Sequence, residues 1–180
     1  MKDNILIKLQ RSIKTAVIIM ATGASTVSAQ EQATIQATAT VISGITIAGS
    51  NNLIFGSVTP GVNKTVDKAT AGFAGEWNIS GSVGAEITLT FTLPDSLREG
   101  LNFAAMDIRF VSTDASFSNS VGASQSAPSG VIDPNGPTAF PLSVGGIMDV
   151  WIGATVWPNI TQTGGNYTGD IVLAVAYTGN

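Results

Sequence analysis

The chain contains no cysteine and no histidine. Without cysteine there is no disulfide, no thiolate nucleophile and no zinc–thiolate site. Without histidine the commonest general base and metal ligand is missing. Charge is scarce too, at 11% of residues, with eight basic side chains against twelve acidic ones. Aromatic residues make up 7%. Lys, Glu and Leu, which favour helices, are few, while Thr, Ser, Gly and Val are abundant. That balance points to an all-β chain. No base, nucleophile and oxyanion-hole constellation can be assembled, so the expectation is a non-enzymatic protein without a cofactor.

The few basic residues are unevenly placed. Lys2, Lys8, Arg11 and Lys14 precede an apolar stretch from Ala16 to Ala21, and Val27-Ser28-Ala29 follows with small or neutral residues. This is the pattern of a secretory signal peptide over residues 1–29, cut between Ala29 and Gln30. The apolar run is too short for a membrane anchor, which needs roughly 20 residues. Residues 30–180 are then one exported domain, expected at the cell surface, in the periplasm or outside the cell. It keeps four basic residues against eleven acidic ones, a net of −7. No basic patch survives to bind nucleic acid, and no membrane span follows the signal.

Within that domain the hydrophobic period is two. Ala33, Ile35, Ala37, Ala39 and Val41 alternate with polar residues without a break, which predicts a strand with one buried face. Ile45 to Ala48, Leu53 to Val58 and Glu76 to Ser80 read as short strands. From Glu86 to Leu93, Ile87, Leu89, Phe91 and Leu93 share one face and Thr88, Thr90 and Thr92 the other. Met106 to Phe110, Ala139 to Val144, Ile147 to Val156 and Tyr167 to Tyr177 complete the set. Ser112 to Pro137 is rich in Ser, Gly and Pro and reads as a long loop with at most one short strand. About nine short strands separated by turns predict a single antiparallel β-sandwich or barrel. The expected core is Phe55, Ile87, Leu89, Phe91, Ile108, Phe110, Val150, Ile171, Leu173 and Val175.

Two stretches carry a family resemblance. Leu53-Ile54-Phe55-Gly56-Ser57-Val58 resembles the "strand, Phe-Gly, small residue" signature near the start of spore-coat U and related pilin-like domains. Val144 to Val150, followed by Asn166 to Tyr177, is similar to the ending of that group. The likeness is strongest to the exported bacterial domain-of-unknown-function family numbered forty-four hundred and two, over roughly Ala33 to Thr178. It implies an immunoglobulin-like, pilin-like sandwich and a structural subunit of a surface fibre or coat. Usher-assembled pilins carry a glycine about a dozen residues before a terminal aromatic, and Gly165 and Tyr177 are similarly placed. Two features depart from pilins: three residues follow Tyr177, and the common disulfide is absent.

The mechanism this resemblance implies is β-strand addition between homo-oligomerising or related subunits, helped by a periplasmic chaperone and an usher. The implied donor is Ala33, Ile35, Ala37, Ala39 and Val41. The implied edge strand carries Gly165, Tyr167, Ile171, Leu173, Val175 and Tyr177. The alternation of Ala33 to Val41 fits equally the first strand of the domain's own sandwich.

Other chemistry is weaker. Trp77, Trp151 and Trp157 suggest a sugar-stacking platform, which would make the chain a monomeric carbohydrate-binding or adhesin module; packing is the more ordinary role of such residues. Asp133-Pro134-Asn135-Gly136 starts like a calcium loop but lacks the further oxygen ligands, so a turn is expected. Asp107 and Asp149 fall within strands and are expected to face solvent. No metal site is expected. The strands are also short for an outer-membrane barrel, which needs roughly ten residues in each.

Overall fold

In the computed structural model, residues 36, 38–39, 41, 44–100, 104–120 and 124–179 are described. They form no helix, so no helix is long and apolar enough to cross a membrane among them. Among the described residues thirteen strands pair entirely antiparallel in three sheets, and Val41–Asn180 makes one compact unit.

The front sheet has the order β1–β3–β10–β7–β8. Its strands are β1 (Thr46–Asn51), β3 (Gly75–Ser80), β7 (Ala115–Ser118), β8 (Gly130–Ile132) and β10 (Ile147–Ile152). Facing it is a three-stranded back sheet, β13–β4–β9, built from β4 (Glu86–Thr92), β9 (Thr138–Pro141) and β13 (Val172–Tyr177). Period-two alternation turns one face of each sheet inward. From the front come Ile79, Ala115, Phe117, Ile132, Met148, Val150 and Ile152; from the back come Ile87, Leu89 and Leu173, with Leu142 from the connection beyond β9. Each is nearly or wholly buried. This is a β-sandwich core.

A third, side sheet has the order β12–β5–β6–β11–β2. It comprises β2 (Lys64–Val66), β5 (Ser96–Glu99), β6 (Ala105–Arg109), β11 (Ala154–Trp157) and β12 (Tyr167–Thr168). Its inner face supplies a second, smaller cluster of Met106, Ile108, Ala154 and Val156. Phe110 packs against both clusters and joins them.

The strand count exceeds nine because long extended segments change sheets part-way. Ile147 to Val156, expected as one strand, is β10 in the front sheet and β11 in the side sheet, divided at Gly153. A Cβ on Gly153 would collide with the Val66 carbonyl oxygen and the Lys68 nitrogen, so only glycine admits this close crossing. Glu86 to Leu93 likewise continues past Pro94 as β5, and Tyr167 to Tyr177 divides into β12 and β13.

Three further expectations need correction. Ser112 to Pro137 holds β7, β8 and a Ser124–Ala127 bridge, not at most one strand. Phe117 fills the core there, stacked at 4.1 Å on Phe140. Leu53 to Val58 joins no ladder and turns at Gly56, whose φ is 63°; Ile54 N–H donates to the Phe73 carbonyl at 2.7 Å. Of the expected core, Phe55, Phe91, Phe110, Ile171 and Val175 are only half-buried. The reason lies in what is missing beside them.

Candidate functional site: a groove along an open seam

The two outer strands of the sandwich on one side, β1 and β13, do not pair with each other. Each has a single ladder partner, β3 for β1 and β4 for β13. Every residue of β1 except Asn51 is exposed. Ile47, opposite buried Ile79 in register, is still 40% exposed. An apolar side chain on the core-facing side of a strand stays this open only where a covering strand is lacking.

The seam widens over the side sheet into a groove of about 1150 Å³. Its floor is the inner face of that sheet: Leu97, Met106, Ile108 and Val156. Asn51–Val58 forms one wall and Gln162–Ile171 the other, with Trp77 and Gly49 at the end nearer the main core. Leu53, Phe55 and Val58 point toward the second cluster, while Ile54 faces out at 43% exposure. Trp77 sits edge-on to Phe91 at 5.9 Å.

The second wall is stiff. Gln162 Nε2 donates to the Ala105 carbonyl at 3.0 Å and to Tyr167 Oη at 2.7 Å. Tyr167 Oη donates to the Thr163 carbonyl at 2.7 Å, and Asn159 N–H donates to Gln162 Oε1 at 3.1 Å. Gly165 lies on the side chain of Glu99, which is 6% exposed; a Cβ there would collide with Glu99 Cγ. At the far end of β13, Tyr177 Oη accepts the Ser82 N–H at 2.7 Å. Among the described residues, Asp170 is the only charged side chain lining the groove.

The expected edge residues therefore share one line. Gly165, Tyr167 and Ile171 line the groove, and Leu173, Val175 and Tyr177 continue from it along β13 against the main core. They serve two clusters in two sheets, not one strand face. In the expected donor segment, Ala33, Ile35 and Ala37 lie outside the described residues. Ala39 and Val41 are described and exposed, Val41 by 95%. The β-strand addition implied by the resemblance calls for an apolar groove, but the residues that line this one, other than Gly165, Tyr167 and Ile171, were not foreseen as its walls or floor. The signal that points to it is the apolar run Leu53-Ile54-Phe55, broken at Gly56 just before the turn-forming Pro60-Gly61.

The three tryptophans do not form a platform. Trp77 lines the groove, and Trp151 is 4% exposed. Trp157 lies on the outer face of the side sheet with the Arg109 guanidinium 4.4 Å over its ring. Asp107 is exposed there, as expected, but Asp149 is half-buried and accepts a 2.7 Å hydrogen bond from Asn78 Nδ2. Asp133 Oδ1 accepts the Asn135 N–H at 2.9 Å, the geometry of a turn.

This arrangement offers main-chain pairing. The unladdered stretch 52–58 and the open edges of β1 and β13 lie beside an apolar floor, features that an added β-strand could use. Comparison with protein-family models and with curated proteins finds no match to this chain.

Proposed function

We propose that the chain is a non-enzymatic structural subunit of a bacterial surface fibre or coat, exported and assembled by β-strand addition. The observation that carries this reading is the groove: an apolar floor beside the unladdered stretch 52–58 and below β1 and β13, each of which has one ladder partner among the described residues. Exposed edges are normally covered, charged or twisted away. Here the open edge stands next to uncovered core, so an incoming strand gains both hydrogen bonds and apolar burial. The sandwich is read as immunoglobulin-like and pilin-like, with homologous or identical subunits as partners and a periplasmic chaperone and usher as the export route. Relation to spore-coat U and the family numbered forty-four hundred and two rests on the sequence resemblance.

The test is a groove-filling variant. Leu97→Arg places a long cation on a half-buried floor position without touching the main core. Sedimentation and electron microscopy of the parent should show oligomers or filaments. The variant should stay folded by circular dichroism and remain monomeric. Unchanged assembly in a folded variant overturns the reading.

A monomeric carbohydrate-binding module is the second reading, favoured by the exposure of Trp157. Dispersal of the three tryptophans over separate surfaces weakens it. Loss of glycan binding in Trp157→Ala, with a parent that never assembles, would make it the better account.

A further inference from the structure

We infer that the outer face of the side sheet binds an acidic polysaccharide, with Arg98 and Arg109 taking carboxylate groups along the polymer. Such binding needs neither the groove nor assembly; for the carbohydrate-binding reading it names the class of glycan. Residues 30–180 hold four cations: Lys64, Lys68, Arg98 and Arg109. Both lysines are engaged within the domain, Lys64 Nζ donating to the Ser57 carbonyl at 2.9 Å and Lys68 Nζ to the Thr113 carbonyl at 2.6 Å. Both arginines leave the same face of one sheet. Alternation turns Leu97 of β5 and Met106 and Ile108 of β6 inward. Arg98 and Arg109, next in sequence to Leu97 and Ile108, therefore point outward, and both are exposed. A polymer of negative charge is repelled by most of a domain of net charge −7 and meets its free cations here.

Ladder register sets the spacing on this face. Arg109 lies opposite Thr155, and Thr155 opposite Thr65, which makes one row across three strands. Two residues along, Trp157 lies opposite Asp107. A further two residues on, Arg98 pairs with Ala105. Four residues of strand and one interstrand step separate the arginines, about 14 Å at the backbone. At that spacing the two guanidinium forks suit separate charged groups along one polymer, not the two oxygens of one small anion.

The other side chains on the face suit sugars. Trp157, 41% exposed, is the one large exposed apolar side chain among the strands of this sheet, and the Arg109 guanidinium rests 4.4 Å over its ring. That contact restrains a long side chain before a ligand arrives, so less rotamer freedom is lost when its planar fork meets a carboxylate. Beside it lie the Thr65 and Thr155 hydroxyls, 2.7 Å apart, and the exposed Asp107 carboxylate. These groups can exchange hydrogen bonds with sugar hydroxyls, while the exposed part of the indole gives a pyranose ring an apolar contact. A protein partner calls for a larger apolar centre than one tryptophan. A nucleic acid calls for more cations against its denser charge.

Polygalacturonate, a polymer of carboxylated sugars, is the probe, titrated into the exported protein by calorimetry and run in affinity gels. It should bind, less well as salt is raised. Its fully methyl-esterified form has the same sugars without the charge and should bind about tenfold more weakly or not at all. Arg98→Gln and Arg109→Gln should each weaken binding to polygalacturonate by about tenfold, and Trp157→Ala should weaken it too, since it frees Arg109 and removes the ring. Lys68→Gln removes the same charge elsewhere and should change binding by less than about twofold. Circular dichroism checks that each variant is folded. A parent that binds neither polymer overturns the inference, as does an equal loss in Lys68→Gln, which would make the effect one of net charge. Tighter binding to duplex DNA or to phosphatidylglycerol vesicles, at matched charge concentration, overturns it in favour of those surfaces. Sedimentation of the same samples reads assembly separately, so the strand-adding reading stands or falls on its own result.

Discussion

Leu89→Ala is the sharpest test of the sandwich core. Leu89 is 0% exposed on β4, the middle strand of the back sheet, opposite Val175 on one side and Thr138 on the other. Truncation to alanine removes three carbons. At about 0.8 kcal/mol for each buried carbon the transfer loss is about 2.4 kcal/mol. Neighbours held by ladders on both flanks relax little, so a cavity penalty adds to this and brings the total to about 3–4 kcal/mol, inside the range known for buried leucines. For a domain of this size that lowers the melting temperature by roughly 6–16 °C. Thermal denaturation and urea titration followed by far-UV circular dichroism provide the assay. Thr90→Ala is the control, one residue along on the exposed face, and should change stability by about 1 kcal/mol or less. If both variants shift the midpoint equally, the inward assignment of Ile87, Leu89 and Phe91 is wrong.

Other expected outcomes follow from the same geometry. Phe91→Ala should destabilise less than Leu89→Ala in the same titration, because its ring is half-exposed beside the open seam. Gly153→Ala should lower stability by about 1–3 kcal/mol, since its Cβ meets the Val66 carbonyl oxygen at the corner between β10 and β11; a neutral result would mean the corner is looser than drawn. Tyr177→Phe removes the acceptor for the Ser82 N–H and should cost about 1 kcal/mol by chemical denaturation. Mass spectrometry of the exported protein should give an N-terminus at Gln30; retention of residues 1–29 would contradict the signal-peptide reading. On the donor role that the family resemblance implies for Ile35, Ile35→Asp puts an unpaired charge where an apolar side chain is needed, at a cost of several kcal/mol, and should abolish assembly measured by light scattering.

Much of the sandwich was legible in the sequence because period-two alternation reports a half-buried strand directly. Glu86 to Leu93 is the clear case: the expected inward residues Ile87 and Leu89 are fully buried in β4. Where both faces of a strand are covered, alternation vanishes. All four residues of β7, Ala115–Ser118, are buried, so Ser116 and Ser118 looked like loop residues in a polar stretch. Sheet changes were invisible for a different reason. A mostly apolar run continues through Ile147 to Val156, and nothing in residue type alone says that Gly153 crosses the Val66 backbone. The groove was the hardest feature to foresee. Leu53 to Val58 carries a strand pattern, yet a strand pattern does not reveal whether a neighbour is there to pair with. That depends on the fold placing Gln162–Ile171 across from it, a contact more than a hundred residues away.

The central claim is that the open edges beside the groove become a ladder when copies meet. Hydrogen exchange at backbone amides tests it most directly, comparing dilute monomer with assembled material. The account predicts that amides of residues 55–58 and 169–171 exchange quickly in the monomer and gain at least tenfold protection on assembly, while those of β3 and β10 stay protected throughout. Assembly that leaves both groove walls as fast as in the monomer, with new protection elsewhere, would contradict it.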